Sequence, residues 1–174
     1  MYLNRRMTAL FYLLVLALAS LHGQSDLWFR NYYIEDGLPH SRARAIIQDS
    51  VGWIWIGTTG GLARFDGISF HNYQLGFPDN GSLTTVSCRW EDSYSRLWIG
   101  TESDGLLLFN RSQDRFEHFI HNDTSSNCIG SNYVTSIVSD SSGILWVGTN
   151  RGLNRFDPST GFLTRYLTSY SGTW

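Results

Sequence analysis

A chain of 174 residues, 42% hydrophobic and 16% charged, has room for one modest core. Its formal net charge of −2 argues against a general binder of nucleic acid or of anionic membranes, because either needs a basic surplus. Two cysteines are too few for a disulfide framework, and an aromatic share of 15% suits an all-β protein better than a helical one.

In chain order, the first segment has Arg5 and Arg6, an apolar run over residues 9–21, and small residues at Ala17, Ala19, Ser20 and Gly23. That layout reads as a secretory signal peptide over residues 1–23, cleaved between Ala19 and Gln24, because the run is shorter than the ~20 apolar residues that span a bilayer. An uncleaved anchor is the alternative. No later stretch is long and apolar enough to cross a membrane. Residues 28–33 and 35–39 form an opening phrase, Trp-Phe-Arg-Asn-Tyr-Tyr followed by Glu-Asp-Gly-Leu-Pro.

From there the chain repeats itself three times around a Trp-centred phrase. Asp49-Ser50-Val51-Gly52-Trp53-Ile54-Trp55-Ile56-Gly57-Thr58 aligns without a gap with Asp92-Ser93-Tyr94-Ser95-Arg96-Leu97-Trp98-Ile99-Gly100-Thr101 and with Asp140-Ser141-Ser142-Gly143-Ile144-Leu145-Trp146-Val147-Gly148-Thr149. Each phrase leads into a Gly-Leu step at Gly61, Gly105 or Gly152, an Arg-Phe-Asp-like ending, and a closing aromatic pair. The period is 43 residues from Trp55 to Trp98 and 48 from Trp98 to Trp146, the length of a blade of four short strands.

In the third unit, alternating and β-branched runs predict strands over residues 133–138, 144–149, 153–157 and 162–167, separated by Asp- and Gly-bearing turns. The expected architecture is all-β: an incomplete β-propeller of about three four-stranded antiparallel blades after the signal peptide. Residues 24–43 are assigned to an N-terminal strand and lead-in loop, 44–76 to blade 1, 77–121 to blade 2 and 122–170 to blade 3. The tryptophans read as packing wedges between blades, since a ligand site rarely needs the same group in every blade. In the second unit Ser95 replaces the turn glycine and one residue is inserted before Gly105, so a looser turn is expected. Cys88 reads as a small buried side chain and Cys128 as part of a polar loop, with a bridge between them left open.

The aspartate-serine turn, the Trp-aliphatic-Gly-Thr step and the Gly-Leu and Phe-Asp endings resemble the two-component regulator propeller repeats of exported bacterial sensors. The resemblance implies the periplasmic ligand-sensing region of a hybrid sensor histidine kinase. It further implies an inner-membrane anchor and a kinase in C-terminal parts outside this sequence, and oligosaccharide ligands. The opening phrase resembles the start of such sensors, where it would form a strand completing the last blade of the ring. Three blades do not close a ring, so the chain reads as an N-terminal segment whose partners are further blades and a kinase, or other copies of itself. No kinase motif, nucleotide-binding motif or helix-turn-helix is present, and no catalytic residue or cofactor is assigned. The alternatives are an exported propeller glycan hydrolase or lyase fragment, and a protein-interaction scaffold.

A ligand is expected on one axial face, built from the loops that lead into each blade and the turns between second and third strands. Its candidate residues are His40, Arg42, Asn132 and Tyr133 on the lead-in loops, with Thr59, Glu102, Asp104, Asn150 and Arg151 on the turns. His118 and His121 invite a metal, but no carboxylate cluster completes a site and none is assigned.

Overall fold

Runs of alternating and β-branched residues fold into twelve strands within residues 28–76 and 84–166, the part of the chain that the computed structural model describes. The proposed signal peptide lies outside the described residues. The chain divides into two units, Met1–Asn31 and Tyr32–Trp174. In the first, residues 28–31 have no regular secondary structure.

The second unit holds three four-stranded antiparallel meanders. The first comprises β1 (Ala43–Gln48), β2 (Ile54–Thr58), β3 (Gly61–Phe65) and β4 (Phe70–Tyr73). Next come β5 (Val86–Glu91), β6 (Leu97–Thr101), β7 (Leu106–Asn110) and β8 (Arg115–Phe119), and last β9 (Val134–Ser139), β10 (Leu145–Thr149), β11 (Gly152–Asp157) and β12 (Phe162–Tyr166). These are three β-propeller blades. The first strands β1, β5 and β9 neighbour one another across the seams, which places them on the inner side of the array.

The opening phrase departs from expectation. Residues 28–33 form no strand, and the chain instead turns through a 3-10 segment, Ile34–Asp36, where Asp36 Oδ2 accepts the Tyr33 N–H at 2.8 Å. The strand expected there would pair with the last blade of a complete ring, and that blade is not among the three described. Tyr32 packs its ring edge-on against Phe65 and Phe70.

The repeated phrase has a physical cause at each position. The aspartate closes the turn between first and second strands: Asp49 Oδ1 accepts from Val51 and Trp53 N–H, and Oδ2 accepts from the Trp55 indole at 2.8 Å. Asp92 and Asp140 repeat the pattern with Trp98 at 2.9 Å and Trp146 at 3.2 Å. So tethered, Trp55 and Trp98 are 1% and 0% exposed, wedged against Phe109 and Phe156 of the following blades. The glycine two residues on is where the next blade presses closest. A Cβ on Gly57 would lie 2.5 Å from Val86 Cγ1, and one on Gly100 would collide with Cys88 Sγ and lie 2.7 Å from Val134 Cγ1.

An arginine completes the aspartate turns of the first two blades from different places. Arg111, on the turn between β7 and β8, reaches across the seam to Asp49 at 2.9 Å and holds Glu91 at 3.1 Å. Arg96 holds Asp92 of its own turn at 2.7 Å.

The turn around Ser95 is not loosened. Ser95 takes the left-handed conformation (φ 57°) that Gly52 and Gly143 take in the other blades, and its N–H bonds the Asp92 carbonyl at 2.9 Å, matching Gly52 on Asp49. The cost is backbone strain rather than disorder. Ser95→Gly is therefore expected to raise stability by about 0.5 kcal/mol, the relief of strain being partly offset by a freer unfolded chain. A denaturant melt showing equal or lower stability would count against strain at this turn.

Cys88 is less buried than expected, and Cys128 lies in a polar loop as expected but is enclosed by it. Cys88 is half-buried, while Cys128 is buried inside its loop, where its sulfur accepts the Asn122 N–H at 3.2 Å and faces the Asn122 and Ser125 carbonyls at 3.1 Å. Both are free thiols.

Candidate ligand face

The antiparallel register sets each lead-in loop beside the turn between second and third strands, because β1 begins where β2 ends: Ala43 pairs Thr58, Val86 pairs Thr101 and Val134 pairs Thr149. One backbone bond then recurs in every blade. Thr59 N–H donates to Arg42 O (3.3 Å), Glu102 to Thr85 O (3.0 Å) and Asn150 to Tyr133 O (3.2 Å). The threonine ending each second strand stiffens the turn by donating its hydroxyl to the glycine carbonyl that opens the third strand, at 2.8–2.9 Å.

Contacts between blades join these loops into one surface. Glu102 Oε1 receives Arg44 of blade 1 at 3.4 Å and lies 3.5 Å from the Tyr133 hydroxyl of blade 3. The Thr85 hydroxyl donates to Thr59 O at 3.4 Å. Glu102 is thus a point where side chains of all three blades meet.

The candidate residues divide into two groups. Arg42, Tyr133, Asn150 and Arg151 are exposed, with Glu102 and Thr59 half-buried beside them. Asp104 and Asn132 instead brace the loops. Asp104 is buried and accepts from the Ser103 and Thr84 hydroxyls, and Asn132 accepts the Gly105 N–H on its carbonyl and the His121 N–H on Oδ1. His40 is half-buried, its Nδ1 accepting the Arg42 N–H at 3.0 Å. Arg44 was not foreseen, since it sits inside a first strand. Its position two residues beyond Arg42 at the start of β1 is the signal that could have marked it.

His118 and His121 do not form a centre. The two ring nitrogens of His121 face Ile129 O at 2.8 Å and Asp123 Oδ1 at 2.9 Å. Among the described residues no three His, Cys, Asp or Glu side chains gather as metal ligands.

The family described as two component regulator propeller matches residues 37–60 and 128–151, which hold the turn and Trp-Gly-Thr phrases of the first and third blades. Two segments of the chain match the two-component regulator propeller repeat. The chain is 30% identical to the extracellular domain of a protein described as a putative hybrid two component system of B. thetaiotaomicron, over 81% of this chain and 20% of that one, with a TM-score of 0.72. Histidine kinase P4 of Formosa agariphila is 35% identical over 69 residues, 40% of this chain. The chain spans 5% of that curated relative's length. Virginiamycin B lyase of Staphylococcus aureus, 18% identical over 78% of this chain and 44% of that one with a TM-score of 0.57, shares the fold alone.

Proposed function

We propose that these blades are a ligand-sensing segment of an exported two-component sensor, that the ligand is an oligosaccharide, and that this segment has no catalytic role of its own. The carrying observation is the 30% identity across 81% of the chain to an extracellular domain of a hybrid two component system. In this reading the segment lies in the periplasm after a signal peptide spanning residues 1–23, and the whole sensor is anchored in the inner membrane. The ligand face consists of Arg42, Thr59, Glu102, Tyr133, Asn150 and Arg151, supported from beneath by His40, Asp104 and Asn132. The blades assigned to residues 44–76, 77–121 and 122–170 meet on that face, so a ligand touching several blades favours one mutual arrangement. A signalling partner responds only to such differential affinity.

The test is a thermal-shift screen of the purified chain against neutral and acidic oligosaccharides, with product analysis after prolonged incubation. At least one oligosaccharide is expected to stabilise the chain, by about 2.7 kcal/mol at a hundredfold excess over its Kd, and to be recovered uncleaved. Tyr133→Ala should weaken that stabilisation. Cleavage of the sugar, or no stabilisation by any of them, would sink the reading.

A further inference from the structure

We propose that the ligand face takes an oligosaccharide bearing negative charge, as carboxylate or sulfate, in preference to a neutral one. This rests on the sensor reading above and follows from how charge is distributed over that face. Arg42, Arg44 and Arg151 stand there with two carboxylates. Asp104 is buried and turned onto the Ser103 and Thr84 hydroxyls, and Glu102 is matched by Arg44. The exposed guanidinium groups of Arg42 and Arg151 are left with no carboxylate and no hydrogen-bond acceptor among the described residues.

Most other arginines of the blades are engaged. Arg64 holds Asp114, Arg96 holds Asp92, Arg111 holds Asp49 and Glu91, and Arg89 donates to the Ile46 carbonyl. Arg115 and Arg155 also lack a carboxylate, but they stand within β8 and β11 rather than on the loops of this face. The surplus is local, because the chain as a whole carries −2.

The chemistry selects the ligand class. A guanidinium is a planar fork that binds a carboxylate or sulfate through two parallel N–H bonds and sheds its water more readily than an ammonium. A neutral sugar hydroxyl engages one of those N–H groups and leaves the charge unmatched. Tyr133, 38% exposed, adds a ring face for a sugar ring. The Thr59 backbone N–H donates to the Arg42 carbonyl at 3.3 Å and fixes the loop that carries this arginine.

Calorimetric titration of the full chain with tetragalacturonate, a sulfated galactan tetrasaccharide and neutral galactotetraose separates the possibilities, run at low and at physiological salt. At least one acidic tetrasaccharide is expected to bind about tenfold more tightly than galactotetraose, less so at higher salt. Arg42→Gln and Arg151→Gln should each weaken acidic binding about fivefold to tenfold and neutral binding by no more than about twofold, while Arg115→Gln changes neither. Whichever acidic sugar binds more tightly identifies carboxylate or sulfate as the group read. Galactotetraose binding as tightly as both acidic sugars, or acidic binding indifferent to both arginine variants, overturns the charge preference and leaves the sensor reading standing. No binding in any arm overturns both.

Discussion

Replacing Gly100 by alanine is expected to lower the stability of the chain by about 2–3 kcal/mol, a large effect for one methyl group. The added Cβ would collide with Cys88 Sγ and come within 2.7 Å of Val134 Cγ1 on the first strand of the next blade. Val134 is fully buried, so it has nowhere to retreat without opening the seam that also holds Trp98 and Phe156. The check is a denaturant melt of Gly100→Ala, Val134→Ala and the double variant. If the clash is across the seam, the double variant loses less than the sum of the two single losses. Strict additivity would place the cost within blade 2 instead.

Asp49→Ala is expected to cost about 3 kcal/mol or more. Asp49 is 5% exposed and serves two backbone amides, the Trp55 indole and the Arg111 guanidinium, so its loss leaves a buried indole N–H and a partly buried charge without their acceptor. Its ionisation carries a matching signature. Burial pushes the carboxyl up, but the hydrogen bonds from Trp55, Arg111 and Trp53 together with the Arg111 charge outweigh it and hold the carboxyl below the ordinary value of 3.8. A carboxyl with a depressed folded pKa contributes stability that is fully present above its unfolded pKa of ~3.9 and is lost as pH falls through the folded value. Acid melts of the native chain should therefore steepen below about pH 4 more than those of Asp49→Ala. Parallel acid limbs would show that Asp49 is not a source of the acid sensitivity.

The strands were legible because alternation and register obey a rule of two. Once Trp55, Trp98 and Trp146 are aligned, the inward face of each second strand and the glycine beneath the next blade follow from counting. The loops obey no such period. Asp104 and Asn132 look as polar as Asn150 and Arg151, yet the first pair is spent on Thr84, Ser103, Gly105 and His121 while the second pair faces outward. Which hydrogen bonds a loop residue makes depends on neighbours from other blades, and spacing does not carry that. Cys128 eluded reading for the same reason, being buried by a loop that folds around its sulfur. Ser95 differs again: a left-handed position with a fixed bonding pattern can force an ordinary residue into it, so a missing glycine signals strain and not looseness.

The two sources of arginine make the blades unequal as interchangeable parts. Blade 2 brings Arg96 for its own aspartate, so exchanging its successor would leave that turn complete. Blade 1 borrows Arg111 from its successor, and a shuffled array that gave it a neighbour without that arginine would strip the counter-ion from Asp49. Duplication and reassortment of repeats are thereby constrained in one direction along the chain: the first blade can be transplanted intact only together with the second.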